Sequence, residues 1–231
     1  MTRKSEVSLI LVLLLSSSLR HQALASGSVD GLDSRNQQST ADVPEQRASI
    51  FVLVYNYAHL SAETLEQVRD RASLIFRKAG VEVEWADCPL KDEDPSLYPG
   101  CPEVINQAHV SIRIFPQTAA RIQEGGEAFV AARIANIFWN RLEAQARLLK
   151  APAPRLMAHT LAHELGHLLL GSNSHAPTGI MSAHWDTQVL TRICQEGLYF
   201  NNQQSEFIRS ELRRRHQQEA VVENPRLVAQ K

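Results

Sequence analysis

Apolar and polar positions along this chain recur with two periods, and the switches between them lay out its elements. Ile50 to Tyr57 is a run rich in β-branched and aromatic residues, which predicts a buried strand. Ser61 stands where a helix N-cap would, and Leu65, Val68, Ala72 and Ile75 then recur at helical spacing until Gly80 stops the pattern. Val81 to Trp85 alternates, as do Val110, Ile112 and Ile114 before Pro116, and both segments predict strands. Gly125-Gly126 opens a second β-prone region, with an edge strand expected over Glu127 to Ala132 and another strand over Ala135 to Leu142. Glu143 to Lys150 is then helical or looped. The abundance of Ala, Leu, Arg and Gln offers the alternative of one helix from Ala135 to Lys150.

Ala151 to Pro154 forms a stiff turn leading into a helix whose apolar flank is Leu156, Met157, Leu161, Leu165, Leu168 and Leu169, with Gly171 as its stop. Further on, Leu198 to Phe200 reads as a strand or a packing plug. Gln203 to His216 reads as a helix with Phe207, Ile208 and Leu212 inward and Arg213, Arg214 and Arg215 on a solvated face. Strands interleaved with helices in this order predict an α+β fold, a mixed twisted sheet packed by helices. The chain carries no internal repeat.

The ends differ from this body. Residues 1–25 have a basic start at Arg3 and Lys4, a short apolar core from Val7 to Leu15, and Ala23-Leu24-Ala25 as a small-x-small cleavage site. That pattern predicts a secretory signal peptide, too short in its apolar run to span a bilayer, and hence a secreted or periplasmic protein with no stable membrane insertion. Residues 26–47, rich in Ser, Asp, Gln and Gly, predict a flexible leader; 48–216 form the domain, and 217–231 a frayed tail. The first 25 residues carry Arg3, Lys4 and Arg20 against Glu6, a net of +2, so the formal charge of −1 becomes −3 on their removal. A chain so close to neutral, without a basic stripe, is not built to track phosphates, which argues against a nucleic-acid partner. In an exported protein, Cys88 and Cys101 can close the acidic, Pro-containing loop between them as a disulfide and leave Cys194 free, although pairing with Cys194 is also open.

The candidate chemistry sits on the helix before Gly171. His163, Glu164 and His167 spell H-E-x-x-H. Residues four apart share a helix face, so the two imidazoles can hold one metal ion, and Glu164 can reach a water bound there. Zinc suits histidine donors. His159 lies on the same face, but at about 1.5 Å of rise per residue it is roughly 12 Å from His167, too far for all three to grip one ion. It reads as a partly buried, hydrogen-bonded residue or one that backs up a ligand from behind.

These residues, with Gly171, His175 and Met181, resemble the zinc site of the metzincin metalloproteases, H-E-x-x-H-x-x-G-x-x-H followed by a Met-turn. The resemblance implies an active-site zinc helix with a small C-terminal subdomain, Zn2+ on His163, His167 and His175, and Glu164 as general base. It implies Met181 packed beneath the site and a peptide or protein substrate hydrolysed by a monomeric metalloendopeptidase. The spacing departs from the pattern: Gly171 follows His167 by four residues rather than three, and His175 follows Gly171 by four. Strict counting puts the third ligand at Asn173, a poor zinc donor, and His184 is a substitute for His175. Two alternatives stand beside the peptidase. One is a gluzincin-like enzyme with Glu196 or Glu206 as third ligand. The other is a non-catalytic, zinc-stabilised binding module.

Overall fold

The computed structural model describes residues 48–118 and 124–223, with side chains to residue 220. Residues 1–25 and 26–47, where a signal peptide and a flexible leader are expected, and the last eight residues of the chain lie outside the described residues. Five strands form one sheet in the order β2-β1-β3-β5-β4. They are β1 (Ala48–Tyr55), β2 (Val81–Asp87), β3 (His109–Phe115), β4 (Gly126–Phe129) and β5 (Ile134–Phe138). All pairings are parallel except β4 with β5. This is the expected mixed sheet, and its helices are α1 (Ala62–Lys78), α2 (Trp139–Leu149), α3 (Ala153–Leu170), α4 (Thr187–Gln195) and α5 (Asn202–Glu223).

The alternation of each strand decides its faces. Ile50, Val52 and Val54, with Val110, Ile112, Ile114, Ala135 and Ile137, are buried in one core with α1 and α3. From α1 that core takes Leu65, Val68, Ala72 and Ile75, the residues of the helical repeat, and the Ser61 hydroxyl accepts the Thr64 N–H as N-cap. α3 is buried on nearly every side, including Leu156, Met157, Leu161, Leu165 and Leu168, as a helix through the middle of a domain must be. Across the sheet, Leu53 and Ala86 pack with Cys88, which is disulfide-bonded to Cys101; Cys194 is free.

Several boundaries differ from the sequence pattern, each for a local reason. β1 ends at Tyr55 rather than Tyr57 because Asn56 bonds both the N–H and the carbonyl of Leu60 and turns the chain. β4 stops at Phe129, short of Ala132. A 3₁₀ turn over Val130–Ala132 and Arg133 at φ +54° bring the chain back antiparallel to it. β5 ends at Phe138 instead of running to Leu142. Its partner β3 ends opposite, at Phe115, so Trp139 onward has no strand to pair with and the helix-forming residues wind into α2. Leu198 to Phe200 form no strand; Leu198 and Phe200 are buried as a plug. α4 has no counterpart in the apolar pattern; Asp186 caps it by accepting the Val189 N–H.

α5 continues through Gln217 to Glu223, past the expected end at His216. Its inward stripe is Ile208, Leu212 and Arg215, which leaves Phe207 53% exposed rather than inward. Arg215 is buried, not solvated. It donates from Nη2 to the carbonyl of Leu168 (2.8 Å), one of the last carbonyls of α3 that no helical N–H reaches. Nε of the same residue bonds Glu211. His216 Nε2 donates to the Ser49 carbonyl (2.9 Å) and so ties α5 to the start of β1. Among the described residues no helix is long and apolar enough to cross a membrane.

Candidate metal centre

α3 carries His163 and His167 one turn apart, and Gly171, at φ +98°, lets the chain reverse at the helix end. The reversal brings His175 back over the helix. His167 Nε2 lies 3.1 Å from His163 Nε2 and 3.1 Å from His175 Nε2. The donor nitrogens of the three residues all lie within 4.8 Å of one another. His184 is exposed and stands outside this group, as do the exposed Glu196 and Glu206 and the exposed Asn173. His159 is fully buried in α3, its Nδ1 donating to the Arg155 carbonyl at 2.8 Å.

The other ring nitrogens establish which atoms face the centre. His163 Nδ1 is 2.7 Å from the Ile180 carbonyl, so it carries the proton and donates. His167 Nδ1 faces the Gly171 carbonyl at 3.3 Å and the Ser174 hydroxyl at 3.0 Å, and it too is a donor. In neutral rings the proton then sits on Nδ1, and Nε2 presents a bare lone pair. Protonating Nε2 is opposed: burial pushes the His163 pKa down to about 4, with His167 and His175 adding repulsion, and burial also lowers that of His167. Lone pairs converging at 3.1 Å repel one another unless a cation lies between them. Donors at ~2.0–2.1 Å from a tetrahedral zinc lie about 3.3–3.4 Å apart, close to the spacing observed, so the residues fit a zinc ion.

Glu164 is buried beside His163, and burial, then Glu127 and Glu124, pushes its pKa up to about 8. Gly126 makes room for it at the edge strand. A Cβ there would meet Glu164 Cγ at 2.9 Å and the Asn136 carbonyl at 3.0 Å. Below the helix, Met181 is fully buried, and Gly166 is what admits it; a Cβ on Gly166 would stand 2.5 Å from Met181 Sδ and 3.0 Å from Phe200. The Ala176 N–H donates to the Met181 carbonyl (2.7 Å), closing the loop that carries both Met181 and the Ile180 carbonyl. Trp185 packs edge-on to His163, with ring centroids 5.6 Å apart.

Gly126, Gly166 and Ser174 have roles here that sequence reasoning does not assign. Gly166 lies inside H-E-L-G-H, where a glycine in a helix costs stability and so signals a close approach. Nothing local marks Ser174, whose role depends on the path of the loop.

No protein-family model and no curated protein matches the chain. Among solved structures, it is similar to the archaemetzincin of Methanopyrus kandleri at 16% identity, over 74% of this chain and 99% of that one, with a TM-score of 0.48. It is also similar to a zinc-dependent peptidase of Methanocorpusculum labreanum at 15% identity, over 68% and 99%, with a TM-score of 0.48. A third, the archaemetzincin of Archaeoglobus fulgidus complexed with malonate, is 19% identical over 69% and 99%, with a TM-score of 0.40. At such distances the chemistry has to be judged from the geometry of the centre itself.

Proposed function

We propose that the chain is a zinc-dependent endopeptidase that works outside the cytoplasm, with His163, His167 and His175 as ligands and Glu164 as general base. The observation that carries this reading is the convergence of three imidazoles, two of which have their Nδ1 protons committed to oxygen acceptors. Three protein ligands leave a tetrahedral ion one position for water or substrate. A zinc ion held there supplies a Lewis acid and lowers the pKa of a water to about 7.

The remaining work falls to the chain. In its ionised form Glu164, adjacent to the first ligand, accepts the proton of the attacking water at a carboxylate oxygen as the water oxygen bonds to the peptide carbonyl carbon. It returns that proton to the amine nitrogen as the C–N bond breaks. β4 is an edge of the sheet beside Glu164, and an extended peptide can add to it through backbone hydrogen bonds. Trp185 walls the site at His163. The Cys88–Cys101 disulfide and the signal-like residues 1–25 support an oxidising, extracytoplasmic setting.

The test is metal content measured beside hydrolysis of a mixed peptide library. Wild type should hold one zinc and cut. Glu164→Gln should hold zinc and lose roughly 10²–10⁴ of the rate, and His175→Ala should lose the metal. A wild type that holds zinc and cuts no peptide would leave a zinc-stabilised binding module instead; a Glu164→Gln variant that cuts normally would remove the general base from the reading.

A further inference from the structure

The loop between His167 and His175 brings back more than a third imidazole. The Ser174 hydroxyl donates to the Gly171 carbonyl at 2.7 Å. With its own proton spent there, the Ser174 oxygen faces His167 Nδ1 at 3.0 Å as an acceptor, while the Gly171 carbonyl stands farther off at 3.3 Å. His163 has one short bond to a backbone carbonyl for the same purpose. His167, the ring whose Nε2 touches both other donors, instead depends on a side chain. Ser174 is half-buried, whereas the neighbouring Ser172 and Asn173 are exposed, so the loop turns this one hydroxyl toward the helix.

We propose that Ser174 is the positioning residue of the centre: its hydroxyl, polarised by the Gly171 carbonyl, holds His167 in the tautomer and orientation that aim Nε2 at the metal. The inference rests on the zinc reading above. Ser174 directly precedes the third imidazole in the chain and folds back on the helix end. A chain of two hydrogen bonds strengthens the acceptor, and a fixed outer partner raises the basicity of the ligating nitrogen.

Zinc affinity measured by competition with a chromophoric chelator tests this on the full chain, for wild type, Ser174→Ala and Ser174→Thr. Ser174→Ala should bind zinc roughly 10- to 100-fold more weakly, and Ser174→Thr, which keeps the hydroxyl, should recover most of the loss. The visible absorption of the cobalt(II) form should change in Ser174→Ala, and all three metal-free proteins should melt alike. Equal zinc affinity in wild type and Ser174→Ala overturns the inference and leaves the metal site standing. A metal-free Ser174→Ala protein that melts lower than wild type, with zinc affinity unchanged, assigns the residue to folding alone and also overturns it. A wild type that takes up no zinc overturns both the site and Ser174's place in it.

Discussion

At the scale of single residues, His159 is the sharpest case of burial setting chemistry. Its ring is fully enclosed, and burial pushes its pKa down to about 4, with Arg71 and Arg155 further opposing a charge, despite the bond to the Arg155 carbonyl. The unfolded chain therefore binds this proton more readily than the folded one between pH 6.5 and about 4. Stability from His159 is fully present above pH 6.5 and is lost as the pH falls toward 4, by on the order of 3 kcal/mol. Urea unfolding of metal-free wild type and His159→Gln at pH 7 and pH 4 checks this. The loss on acidification should be smaller in His159→Gln, and parallel losses would show that His159 does not carry it. The helical period already separates His159 from the metal pair, because distance along a helix is a local property. Its burial is not local, since Gly197, far off in the chain, lies against the ring, where a Cβ would stand 3.3 Å from Nε2.

At the scale of elements, α3 owes its position to what presses on it from below. Gly166 gives up helix propensity so that Met181 and Phe200 can lie against the turn between His163 and His167. Gly166→Ala should therefore cost about 1–3 kcal/mol through overpacking, although alanine is intrinsically the better helix former. Thermal melting decides the sign, and a stabilised variant would mean that Met181 yields without strain. The same scale shows where periodicity reads well. α1, the core of β1 and the body of α3 follow their patterns because the apolar spacing is itself the packing surface. The end of β5 does not, since it stops where its partner β3 stops, and that partner lies twenty or more residues away in the chain; β4 ends in the turn at Arg133 that pairs it with β5. Arg215 shows the limit in another form: three consecutive arginines look alike in sequence, and only the open carbonyl of Leu168 selects the third.

For the whole molecule, the proposed metal centre joins elements distant in sequence and should act as a staple. α3, the reversal after Gly171 and the loop holding Ile180 all meet at the three imidazoles. Free zinc at 1,000 times its dissociation constant adds about 4 kcal/mol to the folded state. For a domain of this size, chelation should then lower the melting temperature by roughly 8–16 °C. Melting curves with and without a chelator check the shift, and His175→Ala should show almost none of it.

The H-E-x-x-H pair, the glycine stop and the periodic elements β1, α1, β2, β3 and α3 are legible in the sequence alone, because each is written in spacings of two to four residues that local geometry converts into faces. Tertiary structure alone decided which further imidazole joins that pair. Asn173, His175 and His184 all follow Gly171 within a few turns of chain, and no local period distinguishes them. His175 converges because the backbone leaves Gly171 at positive φ, bonds Ala176 to Met181, and anchors Met181 beneath Gly166. Convergence across a loop is a property of the packed core on which the loop rests.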